Sequence, residues 1–190
     1  MTTGKNDLRL PGRRTSPEER ARMLRVDHAG ERGAVKIYAG QLAVFSVTPQ
    51  LAHTKTLIEH MAAQESRHLE TFERLLRSHR VRPTLLTPLW DVAGFTLGAV
   101  TALLGEKAAM ACTVAVEDVI DEHYAKQHAK LKDRAEDHEL AAIVEDFRRE
   151  ELEHRATALA QGAQSLPGYR FLSGLIKTGC RMAIRLSERF

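Results

Sequence analysis

Glu65 and His68 stand three residues apart, and Glu151 and His154 repeat that spacing 86 positions later. The correspondence does not stop there. Glu31 precedes Glu65 by 34 residues, Glu117 precedes Glu151 by 34, and a tyrosine follows each leading glutamate by seven: Tyr38 after Glu31, Tyr124 after Glu117. The second half of the chain thus repeats the first with Glu, Tyr, Glu and His in register. A fold that satisfies this pattern must bring two like halves together around their acidic and imidazole side chains.

Residues three apart on a helix project from neighbouring points of one face, about 4.5 Å apart along the axis, so a glutamate and a histidine so placed can grip one metal ion. Each set also lies inside an apolar stripe of helical period. The first runs Leu24, Asp27/His28, Glu31, Ala34/Val35, Tyr38, Leu42 and Phe45; the second Leu51, Ile58, Met61/Ala62, Glu65, His68/Leu69, Phe72 and Leu75/Leu76. The third is Met110, Val114, Glu117, Asp121, Tyr124, His128 and Leu131, and the fourth Leu140, Ile143/Val144, Phe147, Glu151, His154 and Ala158. A buried, unpaired carboxylate is costly enough to call for a partner, and a metal cation is the strongest one available. Either Glu-x-x-His pair alone would read as a solvated pair on a charged helix; the repeat and the stripes reverse that reading.

Four carboxylates and two imidazoles from four helices are the ligand set of ferritin-like di-iron or di-manganese bundles. An oxygen-rich shell without thiolates suits iron or manganese over zinc or copper. The fold class expected is all-α, a ferritin-like four-helix bundle. The rest of the composition agrees, since aromatics are only 5% and Gly and Pro are sparse.

At 190 residues the chain suits one domain. Residues 1–15 read as a flexible arm, and Ser16-Pro17-Glu18-Glu19 as a helix start with Ser16 as cap. The domain is then 16–190, with pseudo-repeats 16–104 and 106–188. Lys plus Arg exceed Asp plus Glu by three, too small a surplus to argue for nucleic acid. Cys112 and Cys180 sit in apolar helical surroundings and suit reduced thiols, and no secretory signal is visible; Arg9, Arg13 and Arg14 leave a mitochondrial presequence open.

Two segments exceed what a four-helix bundle needs. The stretch from Leu85 to Leu104 is apolar, but its charge-free run of 14 residues, Val92 to Gly105, falls short of the ~20 that span a bilayer. The last helix, from about Tyr169 to Ser187, places Lys177, Arg181 and Arg185 four apart as a basic stripe. Together they predict two additional apolar or amphipathic helices that associate with a membrane surface of anionic lipid. Among the remaining residues, His123 suits substrate positioning or proton transfer, and Tyr38 and Tyr124 suit hydrogen bonds to the ligands. Gln64 and Glu150, each just before a ligand glutamate, could steady a histidine of the opposite helix; Asp137 can cap the fourth bundle helix, and His28 reads as structural.

Several stretches resemble one family, the demethoxyubiquinone hydroxylases: LRVDHAGE (24–31), QESRHLE (64–70), PLWDVAGFTLGAVTALLGEKAAMACTVAVE (88–117), the His123-Tyr124 pair, EELEH (150–154) and GCRMAIRLSERF (179–190). Arg32 and Asp118 stand where the family pattern often has an aromatic or apolar residue and a glutamate. The resemblance implies a di-iron monooxygenase of ubiquinone biosynthesis, with metal ligands Glu31, Glu65, His68, Glu117, Glu151 and His154 and catalytic candidates His123 and Tyr124. It implies two iron ions, dioxygen, a polyprenylated quinol, and electrons from NADH or from the quinol. It further implies a membrane surface, a lipid-binding partner protein of the biosynthetic complex and a homo-oligomer, but no nucleic acid. The expected location is peripheral, on the cytoplasmic face of a bacterial cell membrane or the matrix face of the mitochondrial inner membrane. Two readings compete: a ferritin-like iron or manganese oxidase or catalase needs no lipid-facing surface, and a non-enzymatic membrane adaptor would leave the carboxylates in solvent.

Overall fold

The computed structural model describes residues 16–190, and the arm of residues 1–15 lies outside the described residues. Helix α1 (Pro17–Phe45) starts as the sequence predicts: the Glu19 amide donates to the Ser16 hydroxyl at 3.1 Å, and Pro17, which has no N–H to leave unpaired, takes the first turn. A single turn at Pro49–Leu51 leads into α2 (Ala52–Ser78). Then follow α3 (Thr87–Leu103), α4 (Glu106–Leu131), α5 (His138–Ala160) and α6 (Tyr169–Ser187), with no strand among the described residues.

The repeat seen in the sequence is a repeat of architecture. Helices α1 and α2 pack as one pair and α4 and α5 as another, while α3 lies along α1 and α6 along α4. Each half is therefore two bundle helices followed by an accessory helix. Gly105, at φ +106°, makes the sharp link between the halves in a conformation that a Cβ would disfavour.

The two accessory helices are held differently. A Cβ at Gly98 would lie 1.9 Å from the Ile37 carbonyl oxygen, and one at Gly40 would lie 2.2 Å from that of Phe95, so α1 and α3 meet backbone to backbone. Helix α6 has no such approach, because its Gly174 and Gly179 face open space. It rests on α4 through Ile176, packed with Ile37, Cys112 and Val116, and through ion pairs.

Two apolar layers fill the bundle. One gathers Tyr38, Phe45, Ile58, Met61, Met110 and Val114; the other gathers Leu24, Phe72, Leu76, Tyr124, Leu131, Val144 and Phe147. Each full burial of such a side chain contributes about 1.5–3 kcal/mol. The ligand-type residues fall between these layers in every bundle helix. Residues 108–117 of α4 are buried all round, which explains the run of small and apolar residues there.

Three expectations are corrected. Asp137 stands at the N-cap of α5 but makes no side-chain cap bond; its carboxylate accepts from Arg20 of α1. Asp121 and His128 do not reach the core and instead pair at the half-buried α4–α5 edge with Arg148 at 2.6 Å and Glu145 at 3.3 Å. The basic stripe of α6 is not free for lipid along its length, since Lys177 Nζ lies 2.6 Å from Asp118 and Arg181 Nη2 3.1 Å from Glu122, both on α4.

No helix among the described residues is long and apolar enough to cross a membrane. Large apolar side chains are nonetheless exposed on both accessory helices: Leu89, Val92 and Leu103 on α3, and Phe171, Leu175 and Met182 on α6. The start of α3 and the end of α6 are joined, with Trp90 Nε1 donating to Ser187 Oγ at 3.0 Å and the Leu85 amide to the Phe190 carbonyl at 3.0 Å. Cys112 and Cys180 are free thiols that burial pushes up to about 12 and about 11, which makes both poor nucleophiles.

Candidate metal centre

Glu31, Glu65, His68, Glu117, Glu151 and His154 all converge at the centre of the bundle, and none is more than 2% exposed. They form two overlapping groups, each with its ligand atoms within 4.8 Å of one another: Glu31, Glu65, His68 and Glu151 in one, and Glu65, Glu117, Glu151 and His154 in the other. Glu65 and Glu151 belong to both. Glu151 Oε1 lies 3.1 Å from His68 Nδ1 while its Oε2 lies 3.1 Å from His154 Nδ1. Glu65 spans the same gap, Oε2 to His68 Nδ1 at 3.9 Å and Oε1 to His154 Nδ1 at 3.2 Å. The geometry thus gives two shared carboxylates and, at each end, one glutamate and one imidazole.

This arrangement is poor in hydrogen-bond donors. Five buried carboxylate oxygens, Glu31 Oε2, both of Glu65, Glu117 Oε2 and Glu151 Oε1, make no aligned hydrogen bond, and neither does His68 Nδ1, although Glu31 Oε2 and Glu151 Oε1 lie 3.3 and 3.1 Å from that nitrogen. Orphaned acceptors in such number would cost far more than a fold tolerates. Cations between them remove the cost, and an oxygen-rich set with two imidazoles suits iron or manganese, so the residues fit a two-ion centre. Burial also removes the adaptor reading, which needed these carboxylates in solvent.

Electrostatics records the same crowding. Burial, and then the neighbouring Glu151 carboxylate, push Glu65 and Glu117 well above the usual carboxyl range. Burial acts on Glu151 in the same direction, but the imidazoles of His154 and His68 outweigh it and hold that carboxyl at about 2. Burial alone would lower His68; Glu151 and Glu31 overcome it and raise the ring to about 10.

The tyrosines anchor the end carboxylates across the repeat. Tyr38 donates to Glu117 Oε1 at 3.0 Å and Tyr124 donates to Glu31 Oε1. On the outer side of the histidines, His68 Nε2 meets Glu150 Oε2 at 3.0 Å and His154 Nε2 meets Gln64 Oε1 at 3.0 Å. The expected steadying of each ring from the opposite helix is therefore present. The His68 ring also stacks on Phe147, with centroids 3.8 Å apart.

His123 does not enter the ligand cluster. Its Nε2 lies 2.9 Å from Asp27 Oδ1, and the other Asp27 oxygen accepts from Gln127 at 2.7 Å. Asp27 is 2% exposed while His123 lines a surface cavity of about 300 Å³ with Arg22, Lys126 and Lys130. His28 is buried with Nδ1 unpartnered, and desolvation lowers its basicity. Sequence reasoning gave Asp27, Gln127 and Arg67 no role; the buried acid in an apolar stripe was the available signal for the first.

Comparison with known proteins adds an independent finding. The family model described as ubiquinone biosynthesis protein COQ7 matches residues 18–187. A Rhodospirillum rubrum protein named 3-demethoxyubiquinol 3-hydroxylase is 53% identical over 181 residues, covering 95% of this chain and 83% of its own. A human protein named NADPH-dependent 3-demethoxyubiquinone 3-hydroxylase, mitochondrial, is 50% identical over 170 residues, covering 88% of this chain and 76% of its own. The Saccharomyces cerevisiae 5-demethoxyubiquinone hydroxylase, mitochondrial, is 41% identical over 181 residues, covering 88% and 77%.

Proposed function

The chain belongs to the family of ubiquinone biosynthesis protein COQ7 and is a demethoxyubiquinol hydroxylase, and on that premise we propose that it works at two iron ions held by Glu31, Glu65, His68, Glu117, Glu151 and His154. The observation that carries this reading is the row of buried carboxylate oxygens without a donor. When bound, the iron pair supplies the electrons and open positions that let dioxygen deliver one oxygen atom to the quinol ring, with the second leaving as water.

The protein groups do the rest. Glu65 and Glu151, shared by both ligand groups, would hold the two ions as a pair, while Tyr38 and Tyr124 keep Glu117 and Glu31 in place by donating to them. The apolar layers on either side exclude water from the reacting ring. His123, which lines the surface cavity and pairs with Asp27, and Tyr124, whose hydroxyl donates to Glu31, stand at the two ends of the contact between the surface and the centre. In this reading His123 and Tyr124 are the proton-handling residues.

The polyprenyl tail accounts for the exposed apolar side chains of α3 and α6, which dock on the membrane surface where the substrate is dissolved. The enzyme is then a peripheral membrane protein, on the matrix face of the mitochondrial inner membrane or the cytoplasmic face of a bacterial one. A nicotinamide nucleotide supplies the electrons, in line with the human relative's name. A lipid-binding partner protein and a second copy of the chain share the same apolar surface.

The test is product analysis. Protein reconstituted anaerobically with ferrous iron, then given dioxygen, a reductant and a short-tail demethoxyubiquinol, yields the ring-hydroxylated product by mass spectrometry. Fewer than one iron bound per chain, or no product from the loaded protein, overturns the reading.

A further inference from the structure

One of the positions at which the repeat is not exact lies directly behind the histidines of the candidate metal centre. Position 64 is glutamine and position 150, its equivalent 86 residues on, is glutamate, and the two touch: Gln64 Nε2 donates to Glu150 Oε2 at 3.1 Å. Each also meets one of the two imidazoles. Glu150 Oε2 lies 3.0 Å from His68 Nε2, and Gln64 Oε1 lies 3.0 Å from His154 Nε2.

These contacts fix the protons. An ionised carboxylate can only accept, so His68 donates through Nε2, and Nδ1, which faces the ligand carboxylates, is the nitrogen left for an ion that displaces the proton there. The same carboxylate takes the NH₂ end of Gln64, which leaves the amide oxygen facing His154 and makes that ring a donor through Nε2 as well. Arg67 closes the chain by donating to both Glu150 oxygens, which keeps that carboxylate ionised and in place. Both Nδ1 atoms thus point at the ion positions, but the ring behind one is backed by an anion and the ring behind the other by a neutral amide.

We infer that the two ion positions are unequal, with Glu150 as the positioning residue responsible: the ion beside Glu31 and His68 binds first and tighter than the ion beside Glu117 and His154. This rests on the two-ion reading above. A hydrogen bond to a carboxylate is roughly twice as strong as one to a neutral acceptor and makes the imidazole a stronger donor to its metal. The direct ligands cannot supply the difference, because each position has one end glutamate, one imidazole, a tyrosine on the glutamate and the same two shared carboxylates.

Manganese(II) titration of the full chain, followed by electron paramagnetic resonance, tests this without turnover, since single and spin-coupled ions give different signals. Wild-type protein fills in two steps, a single-ion species and then the coupled pair. Glu150→Gln weakens the first step by about 10–100-fold and brings the two steps together, with helicity unchanged. Glu117→Gln keeps the tight step and loses the second, whereas Glu31→Gln loses the tight step. That last pair decides the order even if Glu150→Gln fails to fold. Two ions entering with equal affinity, an unaltered first step in Glu150→Gln, or a tight step that survives Glu31→Gln but not Glu117→Gln each overturns the asymmetry while leaving the two-ion centre standing. Failure to bind any manganese overturns the two-ion reading itself.

Discussion

The Tyr38 hydroxyl, from the first half of the repeat, donates to Glu117 of the second at 3.0 Å, and Tyr124 of the second half returns the contact to Glu31 of the first. Each end carboxylate is therefore held by a tyrosine of the opposite half, seven residues after its own equivalent. Replacing Tyr38 with Phe removes that donor and leaves one more buried oxygen unpaired. We expect the metal-free protein to lose about 1–3 kcal/mol, read as a lowered midpoint in chemical unfolding. An unchanged midpoint would mean that the Glu117 oxygen finds another partner when the tyrosine hydroxyl is gone.

The two shared carboxylates should matter more than the end ones. Glu151 belongs to both ion groups, so Glu151→Ala should bind neither ion firmly and lose hydroxylation, with far-UV circular dichroism close to wild type. Metal content after reconstitution is the measurement. Two ions retained in Glu151→Ala would remove it from the ligand set.

Metal binding and pH are linked through four groups whose shifts have opposite signs. The raised carboxyls Glu65 and Glu117 contribute stability at low pH and lose it as pH climbs above their ordinary 4.5. His68, raised to about 10, contributes fully below its ordinary 6.5 and loses that contribution as pH rises toward 10. Glu151, held at about 2, contributes above 4.5 and loses that as pH falls toward 2. The metal-free protein should therefore be most stable near pH 4.5, lose stability as pH rises from there, and lose it more steeply above 6.5. Metal displaces the protons on Glu65, Glu117 and His68, so the loaded protein should gain progressively over the metal-free form as pH rises. Thermal unfolding of both forms across pH checks this, and a constant gap between them would contradict it.

How much of this was open to reading in the amino-acid order depends on what a spacing can encode. The six ligand-type residues were legible because a glutamate or histidine inside an apolar stripe is anomalous, and an 86-residue register repeated the anomaly. The accessory helices were legible from their surplus of apolar residues. Their attachment was not: a period of four says that Lys177, Arg181 and Arg185 share a face, but not that this face turns toward Asp118 and Glu122. Likewise Asp27 is a neighbour of His123 only through the pairing of α1 with α4, a contact 96 residues apart in the chain.

That turn of the α6 stripe changes what its charges can do at a membrane. With Lys177 and Arg181 paired to α4, Arg185 is the stripe member without an ion pair among the described residues, and Phe171, Leu175 and Met182 carry the apolar area beside it. Binding to anionic vesicles should then fall more on Arg185→Gln than on Lys177→Gln, and the loss should shrink at high salt, because only an exposed charge is screened and only a free one can meet a lipid headgroup. Leu175→Ser should weaken binding to neutral vesicles as well, since its contribution is burial rather than charge. Lys177→Gln should instead loosen α6 from α4, seen as faster hydrogen exchange in residues 169–187 with vesicle binding kept. Flotation of the three variants on both vesicle types separates these outcomes, and equal loss from Lys177→Gln and Arg185→Gln would mean that α6 leaves α4 when it reaches the lipid.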